Sequence, residues 1–144
     1  MTNTPASERA PDRTTAADPP HAPADTLDDE RVGARPRAQV EQAQSALEAA
    51  TAAPQRQTAL NRGALAGYLW SMGRSRTAPV TGAVHIEPPD LLDITAEIDA
   101  SVVQLAQQSQ RTAPRDYVRG VHDALSWVCA HTDEQPSAAA PYHP

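Results

Sequence analysis

The chain has 144 residues, enough for one domain of ordinary size. Its apolar share of 40% is half alanine: 28 Ala stand beside 21 Leu, Ile and Val together, and there is no Phe. With 14 prolines, a single cysteine and a net charge of −6, this excludes a large core, a membrane span, an internal disulfide and a generic nucleic-acid coat, and disfavours an enzyme with a deep preformed pocket.

Residues 1–35 read as a disordered tail. Pro5, Pro11, Pro19, Pro20 and Pro23 interrupt any helix, and too few large apolar side chains are present to offset the entropy of ordering. The first residues are polar and lack the apolar stretch of a secretory signal, so a cytoplasmic location is expected. All 12 basic residues are Arg, which with so much Ala and Pro suggests a high-GC bacterial coding bias.

Four helices are predicted in a domain spanning 36–133, at about 37–52, 55–72, 91–108 and 113–131. The first has a narrow apolar seam of Val40, Ala43, Leu47 and Ala50. Pro54 ends it and suits the first turn of the second helix. That second helix carries Leu60, Leu65, Tyr68, Leu69, Trp70 and Met72 on nearly all sides, the pattern of a central helix, and Gly73 is placed to stop it. Residues 74–89 read as a loop with room for a short extended stretch around Val80 and Val84. Asp90 with Asp93 forms an N-cap signature for the third helix. The seam of this helix is Leu91, Ile94, Ile98, Val102 and Leu105, with Asp93, Glu97 and Gln104 on a solvated face. The fourth helix has Tyr117, Val121, Ala124, Leu125 and Val128 toward the core, and Arg119, His122, Asp123 and Ser126 outward. Residues 134–144 read as a second tail. The fold expected is all-α, a small four-helix bundle.

An internal echo joins the second and fourth helices. Arg62-Gly63-x3-Gly67-x2-Trp70 matches Arg119-Gly120-x3-Ala124-x2-Trp127 at an offset of 57 residues. Two repeated helical hairpins would produce it. A glycine within a helix costs about 1 kcal/mol against alanine, so Gly63, Gly67 and Gly120 need a reason. Small residues one turn apart let a facing backbone approach, and Gly63, Gly67, Trp70, Gly120, Ala124 and Trp127 are expected to pack the two helices together.

No P-loop, Rossmann glycine pattern, HExxH, CxxC or GxSxG occurs. His122, Cys129 and His131 are close in sequence, but a metal site needs three or four converging ligands, and Cys129 reads as a small hydrophobe. Asp93, Glu97 and Asp99 read as a solvated acidic face. Arg62, His85, Tyr68, Tyr117 and His122 are the only polar residues that offer themselves for a helix-bundle cleft. No catalytic site, cofactor or metal is expected.

Charge is unevenly distributed. Ala49 to Ile86 holds no acid and includes Arg56, Arg62, Arg74 and Arg76, whereas Glu87 to Glu134 is strongly acidic. The acidic third helix would then complement the basic second one. Alternatively these arginines, with Arg119, contact phosphates or an acidic protein. The function expected is a small, non-catalytic protein–protein interaction module, regulatory or accessory, binding a partner protein or a second copy. The alternative is a nucleic-acid-binding regulator using an Arg patch around residues 56–76.

Overall fold

The computed structural model describes residues 30–107 and 113–137. Among them the order is β1 (Arg31–Val32), β2 (Arg35–Pro36), α1 (Arg37–Ala50), a 3-10 turn (Pro54–Arg56), α2 (Ala59–Ser71), α3 (Leu91–Ala106) and α4 (Arg115–Val128). The described residues are thus mostly helical, with four helices and one two-stranded hairpin among them.

The hairpin corrects the tail boundary expected at residue 35. Arg31 pairs with Pro36 and Val32 with Arg35 in antiparallel register. Val32 is buried, and Ala34 N–H donates to the Val128 carbonyl at 3.0 Å. The expected tail at 1–29 lies outside the described residues, as do 138–144. Glu134 to Ser137 are described and form neither helix nor strand.

The helix bounds follow local chemistry. Thr51 closes α1, its hydroxyl donating to the Leu47 carbonyl at 2.8 Å. The expected start of the second helix at 55 splits in two, because Thr58 takes the N-cap and accepts from Asn61 N–H at 3.1 Å, leaving Pro54–Arg56 as a separate turn. Asp90 and Asp93 close a reciprocal capping box on α3, at 2.8 and 3.1 Å. On α1 the buried side is Val40, Ala43, Gln44 and Leu47, and the expected seam residue Ala50 is exposed.

The most extensive pairing is between α2 and α4; α3 packs on α4, and α1 packs on α2. The acidic α3 therefore does not take the basic α2 as its main neighbour, as the charge distribution suggested. The arginine at the end of α2 instead meets α1, where Arg74 reaches Glu41 at 3.1 Å and Gln44 at 3.3 Å.

At the α2–α4 crossing the backbones nearly touch. A Cβ added to Gly63 would lie 2.0 Å from the Tyr117 carbonyl oxygen, and one added to Gly120 would lie 2.1 Å from the Leu60 carbonyl oxygen. The contact is reciprocal: 60 and 63 on one helix face 117 and 120 on the other, the same 57-residue offset as the sequence echo. Gly67 sits against Ala124 with less restriction. Trp70 and Trp127 are both buried. Tyr68 meets the Trp127 ring edge-on, with centroids 6.0 Å apart.

The two helices also end alike. Met72 and Cys129 N–H donate to Tyr68 and Leu125, Gly73 and Ala130 to Trp70 and Trp127, and Arg74 and His131 to Leu69 and Ser126. Each pair is again 57 apart, and each set makes the 6→1 and 5→2 bonds of a Schellman motif. Neighbouring arginines then serve the two ends. Arg35 donates through Nε to Trp127 O and through Nη2 to Thr132 O, and lies 4.2 Å over the Trp127 ring. Arg37 donates to Met72 O at 3.3 Å.

Candidate functional site

The described surface separates into an arginine set, three open clefts and one apolar helix face. The smallest of these clefts, of about 440 Å³, lies between the end of α1 and the start of α2 and is lined by Glu48, Thr51, Gln57, Asn61, Arg62 and Leu65. Arg56 and Arg62 are exposed at the N-terminal end of α2, where Arg62 donates to Gln57 O at 2.7 Å. Arg74 and Arg76 follow its C-terminal end. Nine residues of helical rise, about 14 Å, separate Arg62 from the end of α2 at Ser71; Arg74 lies beyond that end and is held by α1. The four arginines expected as one patch are therefore two groups at opposite ends of a helix. Arg119 lies exposed on α4.

One cleft, of about 570 Å³, lies between α2 and the following loop, lined by Ala66, Leu69, Pro79, Val80 and Tyr117. Burial pushes the Tyr117 phenol above its ordinary value, against the opposing pull of Arg62. No second titratable group lines this cleft among the described residues. A third, of about 790 Å³, brings Arg119, His122, Asp123, His131 and Glu134 to one side of α4. His122 Nδ1 lies 3.1 Å from its neighbour Asp123. Among the described residues no group of three or more His, Cys, Asp or Glu is arranged to hold a metal. Cys129 is buried, and burial raises its thiol pKa, the opposite of what an activated nucleophile requires. Of the polar residues considered for a cleft, Tyr68 is fully buried with its hydroxyl unpartnered, and burial pushes its phenol well above the usual range. His85 lies against the Trp70 ring, 5.8 Å between centroids.

Glu97 is a correction. It was expected on a solvated face but is 2% exposed. Its carboxylate accepts from Val80 N–H, from Thr81 N–H at 3.0 Å and from the Thr81 hydroxyl at 2.9 Å. It thereby fixes the loop before α3 to the helix itself. The loop's strand-like content reduces to one bridge, Thr77 to Val84. Ser126, expected to face outward, is buried as well.

With Glu97 turned inward, the buried side of α3 is Ile94, Glu97, Ile98 and Ser101. The expected seam residues Leu91 and Val102 are each 50% exposed, and Leu92 is 79% exposed. Val103 is likewise half exposed, and Val84 and Ile86 in the preceding loop are more so. These six are the exposed large apolar side chains among the described residues. Periodicity identified α3 as amphipathic but set its core face too far toward Leu91 and Val102. The signal that was missed is the pair of doublets, Leu91-Leu92 and Val102-Val103. The buried pair of α3 is Glu97 and Ile98, and both apolar doublets fall outside the face that this pair defines.

No family model matches the chain, and neither a curated protein nor a solved structure matches it. No described helix is long and apolar enough to cross a membrane.

Proposed function

We propose that this chain is a small, non-catalytic protein–protein interaction module that docks a partner protein on the outer face of α3. The observation that carries this reading is the concentration of exposed large apolar residues on α3 and the loop before it. A few isolated apolar side chains on a surface need no explanation, but a clustered set marks an interaction site. Glu97 supports the reading, because its hydrogen bonds hold the loop and helix as one preformed platform. The exposed apolar face favours docking over catalysis, and the division of the arginines into two groups gives the nucleic-acid alternative less support.

We also read the domain as a four-helix bundle built from two repeated hairpins, α1–α2 and α3–α4. The reciprocal glycine crossing and the matched helix ends support this. In that arrangement α3 is an outer helix, which is why its far side is available.

The test is site-specific photo-crosslinking in the source cell. A benzophenone side chain at Leu92 or Val103 is expected to give a protein adduct that the same probe at Ala38 on α1 does not give. Equal adducts from all three positions, or none from α3, would overturn the reading. A salt-sensitive shift of nucleic acid lost on replacing Arg56 and Arg62 would favour the alternative.

A further inference from the structure

We propose that the occupant of the α3 face is a basic amphipathic helix of a partner protein; this rests on the docking reading above and specifies its chemistry. Leu92, Ala96, Asp99 and Val103 are all exposed and follow one another at spacings of four, three and four. They form one stripe along the helix, bordered by Leu91 and Val102. Eleven residues of rise make the stripe about 16 Å long, which matches three turns of a facing helix.

Charge selects the occupant. Residues 77–107 contain five acids, Glu87, Asp90, Asp93, Glu97 and Asp99, and neither Arg nor Lys. Glu97 is turned inward. Glu87 and Asp99 are exposed and make no ion pair among the described residues. Asp99 stands within the stripe, between Leu92 and Val103. Arg115 reaches the C-terminal end of α3, where it is engaged with the Leu105 carbonyl at 2.7 Å. Arg119 and His122 border Ile98 on the flank toward α4. The outer face is therefore apolar toward the two ends of α3 and acidic at its entrance and centre.

Two nearer candidates do not complement it. In an antiparallel pair of α3 helices from two copies, Asp99, close to the helix midpoint, would approach its own equivalent. The chain's residues 1–29 carry six acids against two arginines, the same sign as the face. An anionic lipid surface is repelled for the same reason. A partner helix with leucine-like anchors flanked by Arg or Lys satisfies both the apolar stripe and the acids around it.

The experiment uses the full chain and a fluorescein-labelled 18-residue peptide of Leu and Arg with apolar residues at three–four spacing, followed by anisotropy. Two control peptides carry Glu in place of Arg, or the same residues with the apolar spacing scrambled. The Leu/Arg peptide is expected to bind at least tenfold more tightly than either control. Leu92→Ser with Val103→Ser, and separately Asp99→Arg, are each expected to weaken it at least tenfold, whereas Ala38→Ser leaves it unchanged. All four positions are exposed, and circular dichroism checks that the variants fold. Equal binding of the Leu/Arg peptide to every variant would reduce the effect to general attraction and overturn the proposal. Binding of the Glu peptide that is lost with Leu92→Ser and Val103→Ser would overturn the basic chemistry while leaving docking intact. Failure of every peptide, together with no protein adduct from Leu92, would overturn both. Sedimentation showing a dimer abolished by Leu92→Ser and Val103→Ser would assign the face to a second copy, and binding to anionic vesicles lost in the same variant would assign it to a membrane.

Discussion

The C-terminal ends of α2 and α4 use the same backbone hydrogen bonds at positions 57 residues apart, yet they are finished differently. At the left-handed position α2 has Gly73, at φ 79°, and α4 has Ala130, at φ 61°. Beside Trp127 lies Arg35, cation over ring, with its donors on the carbonyls of that helix end. Beside Trp70 lies His85, and the Trp70 indole N–H is buried without a partner among the described residues. The difference shows that a shared backbone design does not demand shared side chains. One end meets its conformational demand with glycine, and the other tolerates strain while an arginine from the hairpin holds it in place.

The largest effect should come from the crossing both helices share. Gly63→Ala and Gly120→Ala each place a methyl group on a facing carbonyl and are expected to destabilise the fold by about 3 kcal/mol or more in urea unfolding. Similar losses at both sites would sharpen the equivalence of the two helices, and a loss under about 1 kcal/mol at either would break it. Next, Arg35→Ala should lower stability by about 2 kcal/mol, through two hydrogen bonds and the ring contact. Arg37→Ala, whose bond to Met72 O is longer, should cost less than half as much by the same measurement.

The left-handed position offers a contrast of sign. Gly73→Ala forces a side chain into positive φ and 2.9 Å from Pro88 Cγ, and should destabilise by about 1–2 kcal/mol. Ala130→Gly relieves that strain at the matching site and should stabilise by about 0.5 kcal/mol, less the extra freedom of the unfolded chain. Thermal unfolding of both variants checks the pair. Equal effects of one sign would show that the two ends are not equivalent.

The smallest effect is in pH. Burial raises Tyr68 and Cys129, each standing where the other helix has an apolar residue, Leu125 or Met72. A raised pKa means the folded chain keeps a proton that the unfolded chain loses. Stability is therefore full below the ordinary thiol value and falls as pH rises beyond about 9. Cys129→Met should flatten the first part of that decline in urea midpoints taken from pH 7 to 10, and an unchanged slope would remove Cys129 as its source.

The helices were legible in the sequence because their signals are local. Asp90 with Asp93 marks one start, Gly73 one stop, and a 3.6-residue period fills the spaces between. The R-G…W echo was legible for the same reason, and the glycines in it pointed at the helices that cross. The hairpin was not, because two-residue strands have no alternation to read and their stability comes from Val128 and Trp127, far along the chain. Glu97 was not legible either. A carboxylate on a helix is ordinarily solvated, and only the folded loop shows that two backbone N–H groups and a hydroxyl converge on it. Once Glu97 moves to the inside, the core face of α3 rotates, and Leu91 and Val102 emerge at the surface as part of the candidate site.

Arg35 touches a residue 92 positions later, and this sets an order of events during synthesis. At about 5–20 residues per second, the strand that bears it is synthesised roughly 5–20 s before Trp127 exists. For that interval the hairpin has nothing to close upon. The hairpin is made before the four helices but is sealed only once α4 is made, so a nascent chain halted within α4 would expose both the apolar underside of α2 and an arginine with no helix end to cap.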